Sequence, residues 1–335
     1  MSVDLSTQYL GLKLKNPVVI AACPLTEPLD SLRRLEDAGA AAAVFPSLFE
    51  EQIEHEEVEL TRVHEFGTET FAEALTYFPK PEEYRFETDT YLESIAAAKK
   101  AVSIPIIGSL NGVSDGGWIR YAELIEEAGA DALELNVYFI PADMEMPGDA
   151  VETRYLELVS SVKKSISIPL AVKIRPYFSS PANMAKRLVE AGADGLVLFN
   201  RFLQPEIDLE ELTVRPRLVF STPYELLLPL RWVAVLHGRL DASLAITSGI
   251  HGPEGMLQAL LAGADVGMIA SVLYKKGFGQ IGEILRGMTE WMGEKEYESV
   301  AQLKGSMSLE NCPDPSAFAR GNYMKTLTSF TGQAI

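Results

Sequence analysis

The sequence predicts an α/β protein, a (β/α)8 TIM barrel, from three observations: two short phrases alternate along the chain, their spacing is regular, and a short apolar run follows each. The first phrase is Glu36-Asp37-Ala38-Gly39-Ala40, repeated at Glu127-Ala128-Gly129-Ala130-Asp131, Glu190-Ala191-Gly192-Ala193-Asp194 and Leu261-Ala262-Gly263-Ala264-Asp265. In each, a helix-period segment ends in the glycine expected at a helix C-terminus, and a run of strand length follows. The second phrase is Lys100-Ala101-Val102-Ser103-Ile104-Pro105, echoed by Lys164-Ser165-Ile166-Ser167-Ile168-Pro169 and more weakly by Asn16-Pro17. Equivalent points two units apart are separated by 63 residues (Gly129 to Gly192), 64 (Pro105 to Pro169) and 71 (Gly192 to Gly263). That is about 32 residues per unit, the length of one strand and one helix in this fold.

Taken in order, the eight predicted strands are residues 18–23, 42–47, 106–111, 132–137, 170–175, 195–200, 244–250 and 266–271. Alternation with helices implies a parallel sheet, and near-continuous apolar character implies cover on both faces. Odd strands resemble odd and even resemble even, as suits a barrel whose interior layers draw on alternate strands. Eight even units favour closure over an open doubly wound sheet. Insertions interrupt the spacing after the second strand (48–88), the fourth (138–149) and the sixth (201–229). All three follow strand C-termini, the face on which this fold carries its chemistry. Residues 1–295 read as one barrel domain, and 296–335 as a C-terminal extension packed on the barrel or on a partner.

The 335 residues are 47% apolar and 23% charged, enough for a large core. A net charge of −18 and a pI near 4.7 argue against nucleic acid or an anionic membrane surface as partner. Cys23 and Cys312 are too few for a disulfide scaffold and have no zinc spacing, which fits a reducing compartment. No signal peptide or membrane-length apolar run is visible, so the expectation is a cytoplasmic protein. The four histidines, at 55, 64, 237 and 251, lack metal-ligand spacing, and no metal site is expected.

Thr247-Ser248-Gly249-Ile250 closes the seventh strand and Ile269-Ala270-Ser271 the eighth. Small residues there let backbone N–H groups approach an anion, and the following helix points its positive end at the same place. The pair of turns predicts a phosphate site, the usual use of these two loops. Lys173 stands within the otherwise apolar run Ala171-Val172-Lys173-Ile174-Arg175, where a charge is costly unless paired or functional. Two roles remain open for it: a positive charge beside an electron-rich ring, or a Schiff-base amine. Ser47, Ser109, Asn111, Asn136 and Asn200 converge at strand ends as neutral hydrogen-bonding groups suited to a heteroaromatic ligand.

Together with Glu134-Leu135-Asn136, Val172-Lys173-Ile174-Arg175-Pro176-Tyr177-Phe178 and Thr247-Ser248-Gly249-Ile250, these features resemble the dihydroorotate dehydrogenase family, particularly its soluble class 1 branch. The resemblance runs from Leu10 to about Gly279. It implies FMN on the C-terminal face of the barrel and a small-molecule substrate oxidised at a CH–CH bond, in pyrimidine biosynthesis if the product is orotate. By resemblance, Lys173 would lie at the flavin N1/O2 side, and Asn136 and Asn200 would contact flavin or substrate. Ser248, Gly249, Ala270 and Ser271 would hold the phosphate, with Ala22, Ser47 and Ser221 nearby, and Ser109 and Thr247 would also be cofactor-binding.

The sequence also departs from the family. Orotate-using members carry Asn-x-Ser-Cys-Pro or Asn-x-Ser-Ser-Pro after the fourth strand, the Cys or Ser being the base. Here the run is Asn136-Val137-Tyr138-Phe139-Ile140, which puts Phe139 at the base position; Pro46 replaces a lysine before Ser47, and Glu73 to Pro79 replaces an Asn-rich loop. Tyr138, Asp143 or Glu145 would supply a substitute acid or base, with Cys23 a weaker candidate. The flavin side is thus kept better than the orotate side. The competing readings are an electron-transfer subunit of a larger redox complex and a Schiff-base lyase using Lys173. The resemblance leaves a homodimer or a redox partner subunit open.

Overall fold

The computed structural model describes residues 3–49, 87–112, 118–201 and 204–319. In chain order its strands are β1 (Thr7–Tyr9), β2 (Leu12–Leu14), β3 (Val18–Ile20), β4 (Ala42–Val44), β5 (Leu48–Phe49), β6 (Ile106–Asn111), β7 (Ala132–Asn136), β8 (Leu170–Ile174), β9 (Gly195–Leu198), β10 (Pro205–Asp208), β11 (Thr213–Pro216), β12 (Ser243–Thr247) and β13 (Val266–Ile269). Strands β3, β4, β6, β7, β8, β9, β12 and β13 pair in parallel in that order, and β13 pairs back onto β3. This is the closed eight-stranded barrel expected from the repeats. Several strands leave the ladder two or three residues before the apolar run ends, because the chain there turns outward to line a cavity.

The repeats have a physical origin at the N-terminal face. Gly39, Gly129, Gly192 and Gly263 all have φ between +95° and +118°, a left-handed turn that a side chain would strain. The aspartate that follows in three repeats then reaches sideways to the neighbouring strand. Asp131 accepts from the Ile106 N–H and from Lys99, Asp194 from the Leu170 N–H and Lys163, and Asp265 from the Leu244 N–H and Lys304. The second phrase is equally mechanical. The Ser103 and Ser167 N–H and hydroxyl groups donate to Glu36 and Glu126 on the preceding helices.

Side chains alternate along each strand between the helix layer and the barrel interior. Ala42, Ala132, Ala171 and Ala245 are small at the lower interior, and the β1–β2 hairpin fills the space they leave. Tyr9 of that hairpin is wholly buried among them. Residues 48–88 were read as an insertion; 50–86 lie outside the described residues. The 201–229 insertion carries the β10–β11 hairpin, on which Ile207, Leu209 and Val214 are exposed. The described part of the C-terminal extension lies against the barrel: Asp4 bridges Ser299, the Gly305 N–H donates to the Leu260 carbonyl and the Leu309 N–H to the Ala234 carbonyl. Among the described residues, no helix is long and apolar enough to cross a membrane.

Candidate functional site

A cavity of about 680 Å³ opens at the C-terminal ends of the barrel strands, a size that suits a cofactor-sized ligand. Its wall joins two chemically distinct sides. One side holds Ala22, Ser221, Thr247, Ser248, Gly249, Ala270 and Ser271; the other holds Ser47, Asn111, Asn136, Tyr138, Lys173 and Asn200. Ser109 stands behind this wall. It is fully buried, its hydroxyl lies 2.8 Å from that of Ser47, and its backbone N–H and carbonyl are both bonded to the Tyr91 hydroxyl. Alternation explains the difference, since Asn111, two residues on, is one layer nearer the mouth.

On the first side the backbone is bent to make room. Ser248 has φ +75°, a left-handed conformation that costs a non-glycine residue about 1 kcal/mol or more. Gly249 follows at φ +82°, and a Cβ there would stand 2.2 Å from the Leu226 backbone nitrogen. Only glycine permits that approach. Opposite, the helix Ser271–Lys276 begins at the wall, with Ala270 as its N-terminal cap residue. Ser221 ties the region together. Its N–H donates to the Ser271 hydroxyl, its carbonyl accepts from Lys275, and its hydroxyl lies 3.0 Å from His251 Nε2. Burial, then the charges of Lys275 and Lys276, hold His251 below its usual range. The Ser248-Gly249 turn, the Ala270-Ser271 turn and the helix start line the cavity with small residues and backbone N–H groups, a set that fits a phosphate.

The second side is built from alternating interior positions. Asn136 sits two residues after Glu134 on β7, and Lys173 two after Ala171 on β8, so all point inward. Lys173 Nζ donates to Glu134 Oε1 at 3.1 Å, deep in the barrel. Asn200 Nδ2 donates to Asn136 Oδ1 at 2.6 Å, which leaves Asn136 Nδ2 to donate and Asn200 Oδ1 to accept. Cys23 also lines the cavity; burial pushes its thiol up, so it is a poor base.

After β7 the chain presents Tyr138 to the cavity and turns Phe139 away. The Phe139 ring packs under the Arg154 guanidinium at 5.0 Å, and its carbonyl accepts from Arg175 at 2.9 Å. Asp143 and Glu145, the other substitute acids considered, do not line the cavity. Three contributors were missed in the sequence: Glu134, Arg175 and Arg201. Glu134 carried the same signal as Lys173, a charge within an apolar strand. Arg201, which lines the cavity and pairs with Glu225 at 2.8 Å, had only its place after Asn200 to mark it. Among the described residues, no cluster of His, Cys, Asp and Glu is placed to hold a metal ion.

No protein-family model matches the chain. Curated proteins do. The dihydroorotate dehydrogenase B (NAD(+)) catalytic subunit of Pyrococcus abyssi is 28% identical over 309 residues, covering 90% of this chain and 98% of its own. Its namesake in Thermoplasma volcanium is 26% identical over 310 residues, with the same shares covered. That of Methanothermobacter thermautotrophicus is 26% identical over 309 residues, covering 90% and 97%. Over nine-tenths of its length the chain is similar to proteins named as dihydroorotate dehydrogenase catalytic subunits.

Proposed function

We propose that this chain is an FMN-dependent oxidoreductase of the dihydroorotate dehydrogenase type, acting on a CH–CH bond of dihydroorotate or a close structural relative. One observation carries the reading: a single cavity joins the bent, small-residue turns at Ser248-Gly249 and Ala270-Ser271 to the Lys173, Asn136 and Asn200 side chains. The relatives' names support the same chemistry. FMN would supply the hydride acceptor. Ser248, Gly249, Ala270 and Ser271 would hold its phosphate, with Ala22, Ser221 and Thr247 bordering them. Lys173 would place a positive charge against the ring edge, where negative charge collects on reduction.

The bonded asparagine pair offers one donor and one acceptor side by side, complementary to a cyclic amide or imide. Locked by their mutual bond, the two amides need little reorganisation to bind such a group. Tyr138 is the candidate acid or base of the 138–149 loop after β7 (the lid), since it faces the cavity where Phe139 does not. The absence of Cys or Ser at position 139 favours a relative of dihydroorotate over dihydroorotate itself. A product other than orotate would place the enzyme outside pyrimidine biosynthesis. The relatives are named as catalytic subunits, and we extend this to a redox partner that takes the electrons onward. The Schiff-base reading is less well served, because Lys173 is already engaged by a carboxylate.

The purified protein tests this directly. A flavin spectrum that bleaches anaerobically with a cyclic amide substrate supports the proposal, and a colourless protein that takes up no FMN defeats it. Rapid bleaching by dihydroorotate would overturn the altered-substrate part alone.

A further inference from the structure

Glu134 is 1% exposed, yet only one of its carboxylate oxygens has a partner: Oε1 accepts from Lys173, whereas Oε2 is bonded to nothing among the described residues. Its chain neighbours Leu133 and Leu135 pack in the apolar layer outside the barrel, and Ala132 lies beneath it. A half-satisfied buried carboxylate is costly, and a buried ion pair stabilises a fold no better than apolar residues of the same volume. Stability therefore does not account for an acid at this position. The other titratable groups around the Glu134–Lys173 pair are either neutral or engaged elsewhere. Burial raises the Tyr9 hydroxyl from the hairpin, the Tyr91 hydroxyl from the helix Glu87–Ala101 and the Cys23 thiol beside the cavity, so all three keep their protons near neutral pH. Arg175 is turned to the Phe139 carbonyl, and Asp265, whose charge also reaches Tyr9, is bonded to Lys304. Glu134 is the counter-charge that faces Lys173.

We propose that Glu134 is a positioning residue that keeps Lys173 charged and aimed at the cavity, and thereby sets the reduction potential of the bound flavin and its dependence on pH. This rests on the FMN reading above. Without Glu134, the buried Lys173 ammonium would lose its carboxylate partner, and burial would favour the neutral amine. A neutral amine cannot offset negative charge on a reduced ring. At acid pH, where the lysine would still be protonated, the missing counter-charge would have the opposite effect and strengthen its pull.

The experiment measures the potential of the FMN-loaded protein against reference dyes from acid to alkaline pH, for wild type, Glu134→Gln, Lys173→Met and the double variant. For Glu134→Gln the expected result is a potential above wild type at acid pH that falls more steeply and crosses below it at alkaline pH. Lys173→Met should lie below wild type throughout, and the double variant, freed of the unpaired carboxylate, should lie at or above Lys173→Met and still below wild type. Glu134→Asp keeps the charge but withdraws it by one methylene; it should give an intermediate profile, and serves if Glu134→Gln does not fold. A Glu134→Gln or Glu134→Asp profile parallel to wild type would overturn this proposal alone. A wild-type chain that takes up no FMN would overturn the cofactor reading and this inference with it.

Discussion

Arg175 Nη1 donates to the Phe139 carbonyl over 2.9 Å, and with Arg154 on the Phe139 ring this bond decides which side chain the lid offers to the cavity. Phe139 is held toward the helix Gly148–Ser165, and Tyr138 is left facing inward. Restoring the family residue should therefore restore nothing. Phe139→Cys is expected to leave turnover of dihydroorotate unchanged, because the thiol would point toward Arg154. A large gain with dihydroorotate in steady-state assays would show that the lid can turn over.

Tyr138→Phe removes the hydroxyl and keeps the ring. If that hydroxyl is the acid or base, turnover of the true substrate should fall by about 10²–10⁴-fold. Flavin binding, followed by fluorescence quenching, should change little. Unchanged turnover would assign Tyr138 to packing.

Gly249→Ala would put a Cβ 2.2 Å from the Leu226 nitrogen at a residue with φ +82°. Backbone must move, and a strained left-handed alanine adds to the cost, for a loss of about 1–3 kcal/mol. Thermal unfolding should report this loss, and FMN titration a weaker affinity. Riboflavin, which lacks the phosphate, should be affected less.

His251 supplies a pH dependence whose sign follows from its surroundings. Burial, Lys275 and Lys276 lower its pKa in the folded state, against a smaller opposing effect of Glu225. The unfolded chain then binds the proton more readily, so the contribution to stability is present above the ordinary value near 6.5 and is lost as pH falls through it toward the folded value. The flavin-free protein should lose melting temperature over that range, and His251→Asn should flatten the loss. An unchanged slope would move the effect elsewhere.

At the opposite face, Asp194 receives both the Leu170 N–H at 2.7 Å and Lys163 at 2.6 Å. Asp194→Asn keeps the shape and removes the charge, at a cost of about 1–2 kcal/mol after allowing for the partial exposure of the pair. Denaturant unfolding should show that loss, while FMN affinity stays unchanged because the substitution lies at the far end of the barrel.

This aspartate also shows why the fold was legible. The Gly-Ala-Asp and Ser-Ile-Pro phrases encode local events, a left-handed helix end and a side chain reaching one strand over, and local events leave a mark at fixed spacing. Small residues at two turns marked one wall of the cavity for the same reason. The other half of the site depends on contacts far apart in sequence. Glu134 and Lys173 are 39 residues apart, and nothing local tells which of two charges in different strands will meet. Phe139 and Tyr138 differ by one position, and only Arg154 and Arg175, on other elements, settle which faces in.

The asparagine pair closes the argument about the substrate. Because Asn200 Nδ2 occupies Asn136 Oδ1, each amide fixes the orientation of the other, and losing either frees its partner to rotate. Asn136→Ala and Asn200→Ala should each weaken binding of a cyclic amide by about tenfold, the scale of one or two lost hydrogen bonds. Their effects should not add: the double variant should be little worse than the worse single, because the first substitution already destroys the paired donor and acceptor. Ligand titrations followed in the flavin spectrum measure all three affinities. Additive losses would mean that the two residues meet the substrate independently, and that their mutual bond is incidental to recognition.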